Sequence, residues 1–140
     1  MNKNILSIFL IIFIIALIVY IGYTQVKDYY TQRDPMILKL KEIVEKIAPQ
    51  AVSKVNIFKG KKSYTINKKD IYLCLEDEHG EYYSTNALLY VLGHEIAHTI
   101  CKSIGHTEEF DTIFDQFLKK AEELGYYNPN IKVPDNYCEY

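Results

Sequence analysis

The stretch Gly93-His94-Glu95-Ile96-Ala97-His98 sets the interpretation of the whole chain, and Gly105-His106 follows it closely. Residues four apart lie on one face of a helix, so His94 and His98 can offer two imidazole nitrogens to one metal ion. Glu95 directly follows the first of these histidines, where a carboxylate can reach water at the metal and act as a general base. This pattern is typical of a zinc site with hydrolytic chemistry.

A catalytic zinc ion usually has three protein ligands and one position open to water. We expect His106 to be the third ligand, because the chain can turn at Gly105 and bring the imidazole back toward the metal. Cys101 lies on the ligand face of the helix, but it is more typical of a buried thiol beneath the site. Glutamates of the following segment could also supply the third ligand, namely Glu108, Glu109, Glu122 and Glu123. The sequence therefore predicts a Zn²⁺ site with three histidine ligands and with Glu95 as the catalytic residue.

An uncharged run of 18 residues extends from Ile5 to Gly22, with a lysine on either side. That length is just enough to cross a bilayer as a helix. A cleaved signal peptide is the alternative, but the run is long for one and Val19–Tyr23 contains no small-x-small cleavage site. We therefore expect an uncleaved single-pass anchor over residues 1–23 and a juxtamembrane linker over 24–34. Positive residues on its two sides nearly balance, which leaves the orientation in the membrane open.

Residues 35–140 are expected to form one small α+β domain. Asp34-Pro35 supplies an N-cap and a proline at the first helical position, and apolar residues recur at helical spacing until the next proline. Over 52–83 the period changes to two, which predicts a small antiparallel sheet of three or four strands. The third strand is predicted at Ile71–Leu75, and a short fourth strand at Glu81–Tyr83.

Two further helices are expected after the sheet. Ser84 caps the helix that carries the histidine motif, and its nearly continuous apolar composition to about Ser103 predicts a central, buried helix. A buried helix with two histidines and a glutamate needs a compensating interaction, which a metal ion provides. Thr107 caps a second helix, whose apolar stripe ends at Gly125. The expected order is helix, sheet, motif helix and second helix.

The charge of the chain does not favour a nucleic-acid partner, because the formal net charge is −2. Six lysines nevertheless precede the first acid of the sheet region, and they could contact phosphates of lipid or nucleic acid. They are Lys54, Lys59, Lys61, Lys62, Lys68 and Lys69. A solvated sheet edge protected by lysines is the favoured interpretation. The rival interpretation requires a salt-dependent affinity that is lost when Lys61 and Lys62 are neutralised.

The chain has three cysteines, Cys74, Cys101 and Cys138. An odd number leaves at least one thiol unpaired within a monomer. A Cys74–Cys138 disulfide fits a domain in an oxidising space, whereas three small buried thiols fit a reducing one.

At Leu92–His98, with Gly105-His-Thr-Glu-Glu-Phe110 following, the chain resembles SprT-like and WLM-type zinc metallopeptidases. These gluzincin-like proteases carry a His-Glu-x-x-His helix and a third histidine in a Gly-His-x-x-x-Phe-like segment. The resemblance covers roughly Asp70 to Gly125 and implies a zincin-like fold with zinc as cofactor. It implies the ligands His94, His98 and His106, and Glu95 as the base. The seven residues between the second and third ligands are more than WLM sequences usually have and fewer than SprT sequences have.

Those families include proteases that degrade proteins crosslinked to DNA. That role is not carried over, because the apolar segment indicates a membrane. The compact anchored form, with Ile71–Leu75 ahead of the motif helix and Tyr137-Cys138 near the end, is similar to small proteins of large DNA viruses. This likeness implies a virion or host membrane.

These features together predict a membrane-anchored zinc endopeptidase that acts on protein or peptide. An edge strand near Ile71–Leu75 could hold an extended substrate by backbone pairing. A hydrogen-bond donor to the oxyanion would come from one of four side chains, Tyr126, Tyr127, Tyr137 or His79. The alternative is a non-catalytic, zinc-stabilised interaction module at a membrane. The presence of Glu95 disfavours it, because a structural site needs no base.

Overall fold

The computed structural model describes residues 3–139. The chain divides into two compact units, one ending at Thr31 and the other beginning at Gln32. The helices are α1 (Lys3–Gln32), α2 (Pro35–Ile47), α3 (Pro49–Val52), α4 (Thr85–Ile100) and α5 (Glu108–Glu123). The strands are β1 (Asn56–Gly60), β2 (Tyr64–Ile66) and β3 (Asp70–Cys74). The expected α+β organisation, with an apolar N-terminal helix and a small sheet, is confirmed.

Helix α1 is long and apolar enough, by length and composition, to cross a membrane over Asn4–Gln32, with a mean hydropathy of 3.1. Its large apolar side chains are exposed. The helix also continues through most of 24–34, the segment predicted to be a linker. That segment contains no proline until Pro35, and a proline disfavours the helical conformation of the residue before it. The helix therefore ends just ahead of Asp34-Pro35.

Helix α2 begins and ends where the two prolines predict. The carboxylate of Asp34 accepts a hydrogen bond from the backbone N–H of Met36 at 2.9 Å, and Pro35 occupies the first turn. Four side chains of one helical face are buried, namely Ile37, Leu40, Ile43 and Val44. This face packs into the main core, which lies between α2, the sheet and α4.

The sheet has the strand order β1-β3-β2, so β3 is its central strand. β1 pairs with β3 in parallel and β2 pairs with β3 antiparallel. The prediction of an antiparallel sheet is therefore wrong for one of the two pairs, because alternation of side chains does not report strand direction. The predicted edge at Ile71–Leu75 is also wrong, since Ile71 and Leu73 lie in the central strand and are fully buried. The fourth strand is reduced to one isolated bridge between Glu76 and Tyr82.

Helix α4 lies between the sheet and α5. Ser84 caps it by accepting from the N–H of Ala87, and it ends at Ile100, three residues before the predicted end. Thr107 caps α5 by accepting from the N–H of Phe110. The two helices approach closely at Gly93, where a Cβ atom would lie 2.5 Å from the ring of Phe117. Close contact between these helices fixes the position of the motif.

Candidate metal centre

Three histidine side chains converge at the C-terminal end of α4. His94 and His98 project from one face of the helix, and His106 reaches them from the loop that follows. Each of the three Nε2 atoms lies 3.2 Å from the other two. The expected ligand set is therefore brought together, and these side chains lie close enough to bind one metal ion.

The triangle of nitrogens fits tetrahedral coordination. Ligand nitrogens about 2.0 Å from a tetrahedral zinc ion are about 3.3 Å apart, which is close to the spacing here. Hydrogen bonds among the three imidazoles explain these three equal distances less well. All three contacts join Nε2 atoms, and in a neutral ring a given nitrogen is either a donor or an acceptor, so three Nε2 atoms cannot all pair with one another. Three imidazole nitrogens close enough to bind one ion are a donor set that suits a borderline-soft cation such as zinc.

The environment keeps two of the ligands neutral. Burial first, and then electrostatic interaction with the imidazoles of His98 and His106, lowers the pKa of His94 to about 4. Burial also lowers the pKa of His98, to which His106 and Lys68 contribute. Both rings are therefore unprotonated at neutral pH, the state in which an imidazole nitrogen can bind a metal.

One aromatic ring, that of Phe110, packs against the imidazoles of all three histidines. The ring of Phe110 lies with its centroid 4.5 Å from that of His98, 4.7 Å from that of His106 and 4.9 Å from that of His94. Phe110 is itself buried, in a small cluster formed by the end of α4 and the start of α5. Contact with one rigid ring restricts the rotamers of the three imidazoles, so the site is preorganised.

The carboxylate of Glu95 is buried and hydrogen-bonded. Its residue is 7% exposed, and the hydroxyl of Thr65 in β2 donates to Oε2 at 2.6 Å. Burial raises the pKa of Glu95, and the bond from Thr65 opposes that shift. Sequence reasoning does not identify Thr65, although its position between Tyr64 and Ile66 indicates that it points to the opposite side of the strand from them.

The loop after α4 is held by contacts of Glu109 and Cys101, two of the rival ligands. One carboxylate oxygen of Glu109 accepts from the N–H of Lys102 at 3.2 Å and the other accepts from the hydroxyl of Ser103 at 3.0 Å. The buried thiol of Cys101 also donates to Glu109. Among the described residues, Cys101, Glu108, Glu109, Glu122 and Glu123 do not join the histidine group.

Lys68 ties the β2–β3 turn to the same loop. Its ammonium group donates to the backbone carbonyls of Cys101, Lys102 and Ser103. Lys68 adopts a left-handed backbone conformation with φ of 53°, which is unfavourable for a residue other than glycine, asparagine or aspartate. Three charge-assisted hydrogen bonds offset this cost. One of the six lysines of the sheet region thus has a structural role at the site.

A cleft of about 430 Å³ opens beside His98. One wall comes from the end of β2 and the turn after it, including Tyr64 and Thr65. The other comes from α4 and its loop, including His98 and Ile104, whose side chain is 92% exposed. Glu95 also lines the cleft. The cleft gives an extended ligand access to His98 of the histidine group and to Glu95.

The four side chains considered as oxyanion donors lie elsewhere, and among the described residues none of them lines this cleft. Tyr126 accepts a hydrogen bond from Lys46, and Tyr127 packs near Tyr90. Tyr137 donates to the carbonyl of Cys74. His79 borders a separate cleft with Asp77 and Asn136. Packing of the segment after α5, which the local sequence does not indicate, determines the positions of the three tyrosines.

Comparison with known proteins identifies viral relatives. The chain is 41% identical over 90 residues to uncharacterized protein 136R of Invertebrate iridescent virus 6, a match that covers 62% of this chain and 51% of that protein. It is 44% identical over 85 residues to uncharacterized protein 042R of Invertebrate iridescent virus 3, covering 60% and 54% of the two chains. Uncharacterized protein R325 of Acanthamoeba polyphaga mimivirus is 39% identical over 67 residues, which cover 46% of this chain and 34% of R325.

The chain thus spans about half the length of the two iridescent virus proteins that it matches. No protein-family model matches the chain. No solved structure matches it either.

Proposed function

We propose that this chain is a membrane-anchored zinc metalloendopeptidase. One observation carries the proposal: three Nε2 atoms form a triangle of 3.2 Å sides next to the buried, hydrogen-bonded carboxylate of Glu95. A purely structural site would not need a carboxylate at its open side. The resemblance of the motif to SprT-like and WLM-type peptidases supports the same assignment.

The histidines His94, His98 and His106 would hold the zinc ion. Zinc bound there supplies Lewis acidity and lowers the pKa of water. Glu95 accepts the proton of the attacking water and then donates it to the leaving amine as the C–N bond breaks. Thr65 holds the carboxylate in the orientation that both proton transfers require.

The substrate would be a peptide in extended conformation. β2 is an edge strand, and alternate residues of an edge strand turn their N–H and C=O groups away from the sheet. A peptide that pairs with this edge enters the cleft beside Glu95. This assignment moves the predicted substrate edge from Ile71–Leu75 to Tyr64–Ile66.

Helix α1 would anchor the domain to a membrane of the virion or of the host. Cys74 and Cys138 form a disulfide in the domain that follows. Disulfides persist in oxidising spaces and are rare in the cytosol. On this ground we propose that the domain lies on the oxidising side of the membrane, an orientation that the flanking charges leave open.

The test uses the full chain purified in detergent. We expect about one zinc ion per chain by elemental mass spectrometry and hydrolysis of a denatured, fluorescently labelled protein. Glu95→Gln should keep the zinc, and its rate of hydrolysis should fall about 10²- to 10⁴-fold, the usual contribution of a general base. His106→Ala should lose the zinc and the activity together, and a chelator should act on the wild type in the same way.

The double variant Lys61→Gln, Lys62→Gln is the matched surface control, and it should cleave the labelled protein at the wild-type rate. Zinc binding without any hydrolysis would support the non-catalytic module instead. Equal rates in Glu95→Gln and the wild type, or a chain that binds no zinc, would refute the proposed mechanism.

A further inference from the structure

Three aromatic rings form a stacked column across the face of the sheet opposite the core. Phe58 of β1 and Tyr72 of β3 have centroids 5.0 Å apart and planes inclined by 17°. Tyr72 and Tyr64 of β2 have centroids 4.9 Å apart and planes inclined by 14°. The column therefore contains one ring from each strand and runs perpendicular to the strands.

The column follows the register of the sheet. Phe58 lies directly opposite Tyr72 in the parallel pair, and Tyr64 lies directly opposite Tyr72 in the antiparallel pair. The distances between neighbouring rings, 5.0 Å and 4.9 Å, are close to the usual distance between neighbouring strands, about 4.7 to 4.9 Å. A peptide paired with the free edge of β2 would place the residue opposite Tyr64 at the next position of the same column.

The column is closed at one end and open at the other. Phe58 is 7% exposed, whereas Tyr64 is 45% exposed. One face of the Tyr64 ring stacks on Tyr72, and Tyr64 also lines the cleft that contains Glu95 and His98. The open end of the column thus lies where the proposed substrate enters.

We infer that Tyr64 selects an aromatic side chain in the substrate, at the residue that pairs opposite it. This inference rests on the proposed function, since it assigns the specificity of that same site. An incoming ring gains an offset-stacked partner whose orientation Tyr72 and Phe58 already fix, so little conformational entropy is lost. An aliphatic side chain buries apolar area against the ring but lacks the stacking contribution.

Ile66 provides the matched control within the same strand. It lies on the same face of β2 as Tyr64 and is similarly exposed, at 42%. Its partner in the register is Asp70 rather than an aromatic residue, and it is not part of the cleft lining. Ile66→Ala therefore removes apolar surface from this strand without changing the column.

The experiment presents the full chain, in detergent and loaded with zinc, with a mixture of random decapeptides, and the cleaved products are identified by mass spectrometry. We expect aromatic residues to be enriched about 3- to 10-fold at one fixed distance from the cleaved bond, the range that stacking energies give. Tyr64→Phe and Ile66→Ala should keep this enrichment. Tyr64→Leu should lose the enrichment. Its thermal midpoint should lie within the range of the two control variants, which shows that the variant is folded.

A second arm separates this inference from the proposed function. The Glu95→Gln variant is immobilised, and the peptides that it captures from the same mixture are identified. Tyr64-dependent enrichment of aromatic peptides in this arm supports the inference even if the wild type cleaves nothing. Cleavage without aromatic enrichment, or enrichment that Tyr64→Leu retains, overturns the inference and leaves the peptidase intact. Displacement of the captured peptides by a single-stranded oligonucleotide also overturns it, because the open ring would then be a base-stacking site.

Discussion

At the scale of single residues, the site depends on carboxylates that the fold holds in unequal environments. Glu95 is buried, which raises its pKa, and the hydroxyl of Thr65 limits that shift. Glu109 lies at the surface and accepts several hydrogen bonds from the loop, and these lower its pKa to about 2. A carboxylate with a raised pKa suits proton transfer, whereas one with a lowered pKa suits a permanent structural charge. The two glutamates have different roles for this reason.

Replacement of Glu109 should loosen the loop that carries His106. The N–H of Lys102 contributes most to the lowered pKa, and the thiol of Cys101 and the hydroxyl and N–H of Ser103 contribute less. Glu109→Gln removes the charge from these bonds. We expect zinc affinity to fall by about 10-fold, the lower end for groups that position metal ligands. Titration with a competing zinc chelator measures it.

The same variant gives a stability difference that depends on pH. The pKa of a glutamate is about 4.3 in the unfolded chain and about 2 for Glu109 in the folded one. The folded state therefore binds fewer protons than the unfolded state between these values, and stability falls as the pH falls through this window. The thermal midpoint of the zinc-free wild type should exceed that of Glu109→Gln above about pH 5 and approach it near pH 2.

Glu108→Gln is the control for this measurement. It removes the same charge from the same first turn of α5, so any effect of the helix dipole is matched. Among the described residues, the side chain of Glu108 makes none of the hydrogen bonds to the loop that Glu109 makes. The loop bonds would not stabilise the fold if the difference in thermal midpoint between wild type and Glu109→Gln did not depend on pH. The same would follow if Glu108→Gln changed the thermal midpoint as much as Glu109→Gln does.

At the scale of the elements, the contact between α4 and α5 depends on Gly93. Alanine is normally the better helix former by about 1 kcal/mol. At this position, however, a Cβ atom would lie 2.5 Å and 2.6 Å from two carbons of the Phe117 ring, and Phe117 is itself buried. Overpacking of this kind costs about 1 to 3 kcal/mol. We therefore expect Gly93→Ala to lower the free energy of unfolding by up to about 2 kcal/mol, the overpacking cost less the gain in helix propensity, as measured by chemical denaturation.

A second substitution tests the cause of that loss. Phe117→Leu alone should destabilise the protein by creating space in the core. Combined with Gly93→Ala, it should cost less than the sum of the two single variants, because the new methyl group occupies part of that space. Additive effects of the two substitutions would mean that the ring of Phe117 is not what excludes a side chain at position 93.

The helices of the domain could be predicted from the sequence because their signals are local. Asp34-Pro35, Ser84 and Thr107 each mark a helix start that the structure confirms through a hydrogen bond of the capping side chain. The end of α4 is different. The chain leaves the helix at Cys101 because Glu109 binds the N–H groups beyond it and Lys68 binds the carbonyls. Glu109 lies in the next helix and Lys68 lies 33 residues before Cys101, so the sequence around Cys101 does not predict this helix end.

The sheet and the surroundings of the metal ligands were less predictable. The alternation of apolar and polar residues identified the strands. The order and direction of the strands depend on how they pack on α4, so the alternation does not predict that β3 is central. The convergence of the three histidines followed from helical spacing and a glycine turn. Thr65 and Tyr64, in contrast, reach the site from a strand about 30 residues earlier, and contacts over such separations leave no local pattern.

At the scale of the whole molecule, the disulfide ties the end of the chain to the middle of the sheet. Cys74 and Cys138 are separated by 64 residues, and the closed loop contains α4, α5 and the three histidines of the metal centre. Next to the disulfide, Tyr137 packs on Tyr83 and donates to the carbonyl of Cys74. The tail is therefore part of the domain, and the stability of the metal-binding helices is linked to the redox state of this pair.

Loss of the disulfide should destabilise the domain without removing a metal ligand. A crosslink that closes a loop of this length lowers the entropy of the unfolded chain and contributes about 2 to 4 kcal/mol. We expect the double variant Cys74→Ser, Cys138→Ser to lose that amount of unfolding free energy in chemical denaturation of the zinc-free full chain. Zinc stoichiometry should stay unchanged at temperatures well below the new midpoint, because neither sulfur belongs to the histidine group.

Alkylation provides the internal control, because Cys101 is a free thiol. Under denaturing conditions without a reductant, one cysteine per wild-type chain should react, and after reduction all three should react. Three reactive thiols without a reductant, in protein isolated from an oxidising compartment, would contradict the disulfide and the proposed membrane orientation together. One reactive thiol combined with unchanged stability of the double variant would keep the orientation and show that docking of the tail on Tyr83, rather than the covalent bond, holds the end of the chain.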